Sequence, residues 1–151
     1  MQITIDDLAG DDIKALLQEH LNDMYATSPP ESVHALDIAA LKNTNITFWR
    51  ANKQDTLLGC IAIKELDFSH AELKSMRTTA SARNKGVASA LLKHVITFAK
   101  ERGYKRISLE TGTMDFFKPA QQLYLKHGFV WTKPFGQYKE DPNSVYMTLL
   151  L

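Results

Sequence analysis

The chain of 151 residues has one cysteine, Cys60, five prolines, no apolar run long enough to cross a bilayer, and almost no excess of charge of either sign. Each scarcity excludes something. A lone cysteine provides no disulfide framework, and within LLGCIAI it reads as a small buried hydrophobe rather than a nucleophile. His20, His34, His70, His94 and His127 stand apart without paired ligand spacing, so no metal site is expected. With 18 Lys and Arg against 17 Asp and Glu, the net charge of +1 gives no general electrostatic basis for binding nucleic acid or an anionic membrane. The opening MQITIDDLAGDD has neither the basic segment nor the apolar core of a signal peptide, so the expected location is the cytoplasm.

What is present is a composition for one domain over residues 1–151, 44% hydrophobic, able to bury about two thirds of its unfolded surface without a staple. Residues 11–26 read as an amphipathic helix with Asp11 as its N-cap and Ile13, Leu16, Leu17, Leu21 and Met24 at helical spacing. Ser28, Pro29 and Pro30 end it, and a second helix is expected over 33–42. Strands at 46–51, 57–64 and 71–78, separated by polar turns, suggest an antiparallel meander. The period then lengthens: Val87, Leu91, Val95 and Phe98 mark a helix from Gly86 to Gly103. A strand at 106–111, a helix at 115–127 and strands at 129–133 and 145–150 complete the chain. The strand, helix, strand order implies an α/β fold with a mixed sheet, antiparallel N-terminal strands, a central parallel pair and helices on both faces.

The segment most suggestive of chemistry is Arg83-Asn84-Lys85-Gly86-Val87-Ala88, between a strand and a helix. The first amides of a helix lack intrahelical partners and point outward with the positive end of the dipole, which suits a pyrophosphate. Gly86 and the small Ala88 let that backbone approach closely, and Arg83 and Lys85 add charge. A solvated basic turn has the same composition. Neither GxxxxGK[ST] nor GxGxxG occurs.

Taken in order, Met76-Arg77-Thr78, then RNKGVA opening a helix, then RISLETG, then Ala120-Gln121-Gln122-Leu123-Tyr124 through Gly128-Phe129, the chain resembles the GCN5-related N-acetyltransferase (GNAT) family. It resembles a small stand-alone member of the bacterial type. The likeness is specific over residues 71–130 and architectural elsewhere. It implies acetyl-CoA as acyl donor, with no metal, lying between splayed strands at 71–78 and 106–111. The main chain of Met76, Arg77 and Thr78 would then pair with pantetheine, and the loop Arg83, Asn84, Lys85, Gly86, Val87, Ala88 and Ser89 would hold the pyrophosphate. Phe117 stands near the position where many members place an Asn, and Ala80 and Ala82 replace a frequent Pro and a frequent aromatic.

The resemblance makes Tyr124 the general acid. A phenol with a pKa near 10 can protonate a departing thiolate whose own value is near 8.5. Tyr124 also lies on the helical row Ala120, Leu123, Tyr124 and His127, where a packed aromatic is equally at home. An acceptor ammonium must lose a proton, and Glu72, alternating onto one strand face with Lys74, Met76 and Thr78, is the first candidate base, with Glu110 its competitor. Glu31, His34 and Tyr138, together with Glu140 and Asp141, are expected to line the acceptor pocket. The implied reaction is direct transfer of acetyl to an amine, most simply of a small molecule, with neither nucleic acid nor membrane as partner. A non-catalytic acyl-CoA sensing domain is the rival reading, and a homodimer is compatible with the sequence.

Overall fold

The computed structural model describes residues 1–151. Seven strands form one mixed sheet: β1 (Gln2–Ile5), β2 (Ile46–Lys53), β3 (Thr56–Asp67), β4 (His70–Thr78), β5 (Arg106–Gly112), β6 (Val130–Thr132) and β7 (Ser144–Leu150). Their order is β1-β2-β3-β4-β5-β7-β6, and only β4 and β5 run parallel. The helices are α1 (Asp11–Thr27), α2 (Ile38–Leu41), α3 (Val87–Arg102) and α4 (Lys118–Lys126). This is the single-domain α/β fold with antiparallel N-terminal strands that the sequence implies.

Period-two alternation on β3 divides the interior into two cores. Ile61 and Ile63 face α3, joining Leu91, Leu92, Val95 and Ala99 of that helix and Ile107, Leu109 and Met147 from the far strands. Cys60 and Ala62 face the other way, toward Ile13, Leu16 and Leu17 of α1 and Leu41 of α2. Helices therefore cover both faces. Cys60 is fully buried, as its setting implies, and burial pushes its thiol up to about 12.

Three local expectations are corrected and one strand is added. Gly10, rather than Asp11, caps α1, and Asp11 and Asp12 occupy its first turn, where their charge complements the helix dipole. The helix expected over 33–42 reduces to α2, because the Asp37 carboxylate accepts from the Ala40 amide at 2.8 Å and starts the helix there. Residues 33–36 are thereby left irregular. The helix at 115–127 is broken into a 3-10 turn, Asp115–Phe117, followed by α4, with Pro119 in the first helical turn. Strand β1 has no counterpart in the sequence reading: it is a sheet edge with mostly exposed side chains, so no apolar alternation marks it.

Truncating Ile61, fully buried between β3 and α3, is expected to cost about 3 kcal/mol as Ile61→Ala. Urea unfolding monitored by circular dichroism checks this, with exposed Trp131→Ala as the control expected to change stability by less than about 0.5 kcal/mol.

Candidate active site

The parallel pairing of β4 with β5 covers only His70 with Arg106, Ala71 with Ile107 and Glu72 with Ser108. Beyond Glu72 the strands part, and the β5 side of residues 73–78 is left without a strand partner. A cleft of about 810 Å³ fills the gap, walled by Leu73 to Thr78 on one side and Leu109 to Gly112 on the other. Unpaired strand amides and carbonyls need partners, so this wall is a ready template for an extended amide-bearing ligand.

A bulge refines the wall. Ala62 pairs with Lys74 and Cys60 with Arg77, so Ile61 stands opposite two residues, Ser75 and Met76. Ser75 takes a φ of 54° and its carbonyl accepts the Cys60 thiol at 3.3 Å. The extra residue reverses the alternation. Glu72 and Lys74 do not share a face with Met76, which packs on the α3 core, while Arg77 turns to α1 and binds Glu19 and Asp23 at 2.5 and 2.6 Å.

At one end the cleft reaches the N-terminus of α3. Gly86 has a φ of 82°, which a side chain would make strained, and Asn84 has a φ of 62°. No side chain caps the helix, and its first intrahelical bond is Ala90 N to Gly86 O, so the amides of Val87, Ala88 and Ser89 have no helical acceptor. Arg83, Asn84, Gly86, Val87, Ala88 and Ser89 line the cleft; Lys85 does not. Ser89 Oγ lies 2.9 Å from His127 Nε2. Lys126, not singled out in the sequence, adds a cation here. Phe117 lines the far wall, its ring occupying the space a Cβ on Gly112 would need, and Gln121 donates to the Gly112 carbonyl at 2.7 Å.

Midway, the cleft brings together Tyr124 and Glu110. Tyr124 is buried in the α3-side core, and burial, reinforced by the charge of Glu110, pushes its phenol well above the ordinary value. Glu110 lies on the alternate face of β5. Burial raises its carboxyl, the Ser144 hydroxyl donating at 2.8 Å opposes this together with His34 and Lys74, and the charge of Glu72 adds to the rise. Glu72 is placed differently. It is buried off the cleft, accepting from Tyr138 Oη at 2.5 Å and from Lys74 Nζ at 3.4 Å. Lys74 also donates to the His34 carbonyl at 3.0 Å and to Tyr138 Oη at 3.1 Å. Of the two candidate carboxylates, Glu110 thus lies on the cleft and Glu72 off it.

The other end is formed by α1 and the irregular segment after it. His34 lines the cleft, and its ring meets the Tyr138 ring edge-on at 5.0 Å; Tyr138 stands behind it, off the cleft surface. Glu31 and Glu140 are exposed and away from it, and Asp141 accepts from Ser32 Oγ at 2.7 Å. His20 and Met24 of α1 line the cleft although the sequence reading gave them no role. The signal was there: His20 interrupts the apolar row Ile13, Leu17, Met24.

Parting parallel strands, an uncapped helix N-terminus, and a buried phenol lining one cleft with a half-buried carboxylate are the features of the site. The family model of the acetyltransferase (GNAT) family matches residues 13–129, and the chain belongs to this family. It is 54% identical to the uncharacterized N-acetyltransferase YsnE of Bacillus subtilis, over 98% of each chain. It is 46% identical to the uncharacterized N-acetyltransferase YedL of Escherichia coli, over 99% of this chain and 94% of that one. Among solved structures, a putative acyl-CoA N-acyltransferase from Klebsiella pneumoniae has the same fold, with a TM-score of 0.79 at 22% identity over 99% and 97% of the two chains. An aminoglycoside 6'-N-acetyltransferase complexed with coenzyme A superposes with a TM-score of 0.73 at 17% identity over 99% and 97%. The family makes the protein a transferase of the N-acetyltransferase type. No helix is long and apolar enough to cross a membrane.

Burial, helped by the nearby Arg77, lowers His20 from 6.5 to about 4, so between these values the unfolded chain binds a proton that the folded one refuses. Stability therefore falls as pH drops through this window, by about 2 kcal/mol from pH 7 to pH 5. Urea midpoints at the two pH values are expected to show this loss, and His20→Gln to remove most of it.

Proposed function

We propose that the protein transfers an acetyl group from acetyl-CoA directly to the amine of a small molecule. The observation that carries this reading is the single cleft that joins the α3 N-terminus, the unpaired stretch of β4, Tyr124 and Glu110. Solved structures of the same fold with coenzyme A or acetyl-CoA bound support the choice of donor. The amides of Val87, Ala88 and Ser89 with Arg83 would hold the pyrophosphate, and the main chain of Met76, Arg77 and Thr78 would pair with pantetheine. Acetyl-CoA supplies an activated thioester.

The rest falls to the protein. At pH 7 an alkylammonium of pKa about 10.4 loses its proton at a cost of about 4.6 kcal/mol. Glu110, on the cleft and with its carboxyl raised by burial, accepts that proton; burying the ammonium lowers the cost further. The free amine forms an N–C bond to the acyl carbon as the C–S bond breaks, Tyr124, held protonated, donates to the leaving sulfur, and the second proton shed by the nitrogen as it becomes an amide restores the Tyr124 phenol. Glu72 keeps a structural place in this scheme, bonded to Tyr138 and Lys74.

Acetyl-CoA at about 100 times its Kd should stabilise the protein by about 2.7 kcal/mol, seen as a rise in Tm. With an accepted amine, Tyr124→Phe is expected to lower kcat by about 100-fold with acetyl-CoA affinity nearly unchanged, and Glu110→Gln to do the same with loss of the acidic limb of the pH profile. An unchanged Tm with acetyl-CoA would overturn the donor site. Full turnover by Tyr124→Phe would remove the acid from Tyr124.

A further inference from the structure

The acceptor end of the cleft is notable for the carboxylates that are missing from it. Glu31 and Glu140 point to solvent, Asp141 is occupied by Ser32, and Glu19 and Asp23 are bound to Arg77. Of all residues lining the cleft, Glu110 alone carries a carboxylate. Its neighbours from every packed element are His34 of the irregular segment, Glu72 and Lys74 of β4, Tyr124 of α4, Tyr138 of the loop before β7, and Ser144 and Tyr146 of β7. The Lys74 ammonium has three donors and all are placed, on the His34 carbonyl, Tyr138 Oη and Glu72. Its charge is matched by Glu72, so locally one negative charge is left over.

Apart from Lys74 and Arg77, the wall at this end is apolar or uncharged. Met24 of α1 with Val33 and Ala35 of the irregular segment supply aliphatic surface, and the rings of His20 and His34 supply flat faces. His20 is neutral at pH 7 because it is buried beside Arg77. One ammonium can pair with Glu110. A second would be desolvated near Lys74 and Arg77 with no carboxylate to meet it, a costly arrangement.

Building on the transfer reaction proposed above, we infer that the acceptor is a small amine with a single ammonium group on an apolar body, and that polycationic amines are excluded. The site selects by charge count. Specificity then rests on Glu110 as the lone anion and on the Met24, Val33 and Ala35 surface, which takes the body of the acceptor.

Release of CoA thiol from acetyl-CoA, measured with phenethylamine, hexylamine, spermidine and kanamycin, tests this. The monoamines are expected to exceed both polycations at least about tenfold in kcat/KM, the size of one lost charge pairing. Equal or better use of spermidine or kanamycin overturns the inference while leaving acetyl transfer standing. Turnover of none of the four, with acetyl-CoA still raising Tm, overturns amine transfer itself and the inference with it. Ala35→Asp puts a second carboxylate on the wall and should raise the spermidine to phenethylamine ratio about tenfold. A ratio that stays unchanged in a variant still stabilised by acetyl-CoA counts against charge counting as the basis of selection.

Discussion

Everything functional in this molecule follows from the early end of one hydrogen-bonded ladder. Had β4 and β5 remained paired along their length, the sheet would be closed and both strands would spend their backbone groups on each other. Parting after Glu72 leaves polar main chain that must be satisfied by something else, and it connects the two faces of the sheet through its middle. The core on the α3 side is continuous and apolar across this gap, so the separation is held by packing rather than by bonding between the strands.

The bulge at Ser75 decides what that opening presents. By shifting the alternation it sends Arg77 to α1 and Met76 to the α3 core, and it does so at a residue with positive φ whose carbonyl is tied to Cys60. The opposite face of β4 and β5 is polar: His70 meets Ser108 at 2.7 Å, Ser108 meets Thr148 at 2.9 Å, and Glu72 meets Lys74 and Tyr138. A buried ion pair of this kind adds little net stability, but removing one member strands the other without a counter-charge. It also ties together two segments distant in sequence, through the carbonyl of His34 and the hydroxyl of Tyr138.

Much of this was legible in the chain. Long periodic elements such as α1, α3 and the strands of the meander were readable because burial on one face imposes a repeat. The loop entering α3 was readable because it needs a positive φ, hence Gly86, directly before an apolar helical row. The bulge was not, since Ser75 carries no compositional sign of a left-handed backbone, and the face assigned to Met76 failed with it. That Glu72 lies off the cleft and Glu110 on it was hidden for a related reason. Which carboxylate is spent on internal partners depends on Lys74 and Tyr138, separated by 64 residues and joined only by folding. The place of residues 33–35 in the cleft wall was hidden by a helix that Asp37 starts late.

The sulfur of Cys60 has a consequence of another kind. It is the chain's single thiol, it lies next to the bulge that shapes the cleft, and it is fully enclosed, protonated and bonded to a carbonyl. Thioester exchange requires an accessible thiolate. The protein therefore has no sulfur nucleophile of its own with which to intercept an acyl group, form a covalent acyl-enzyme through cysteine or become trapped as a mixed disulfide with a small thiol. Chemistry beside this cleft is confined to oxygen and nitrogen groups, and the enclosed thiol stays inert in the presence of reactive thioesters.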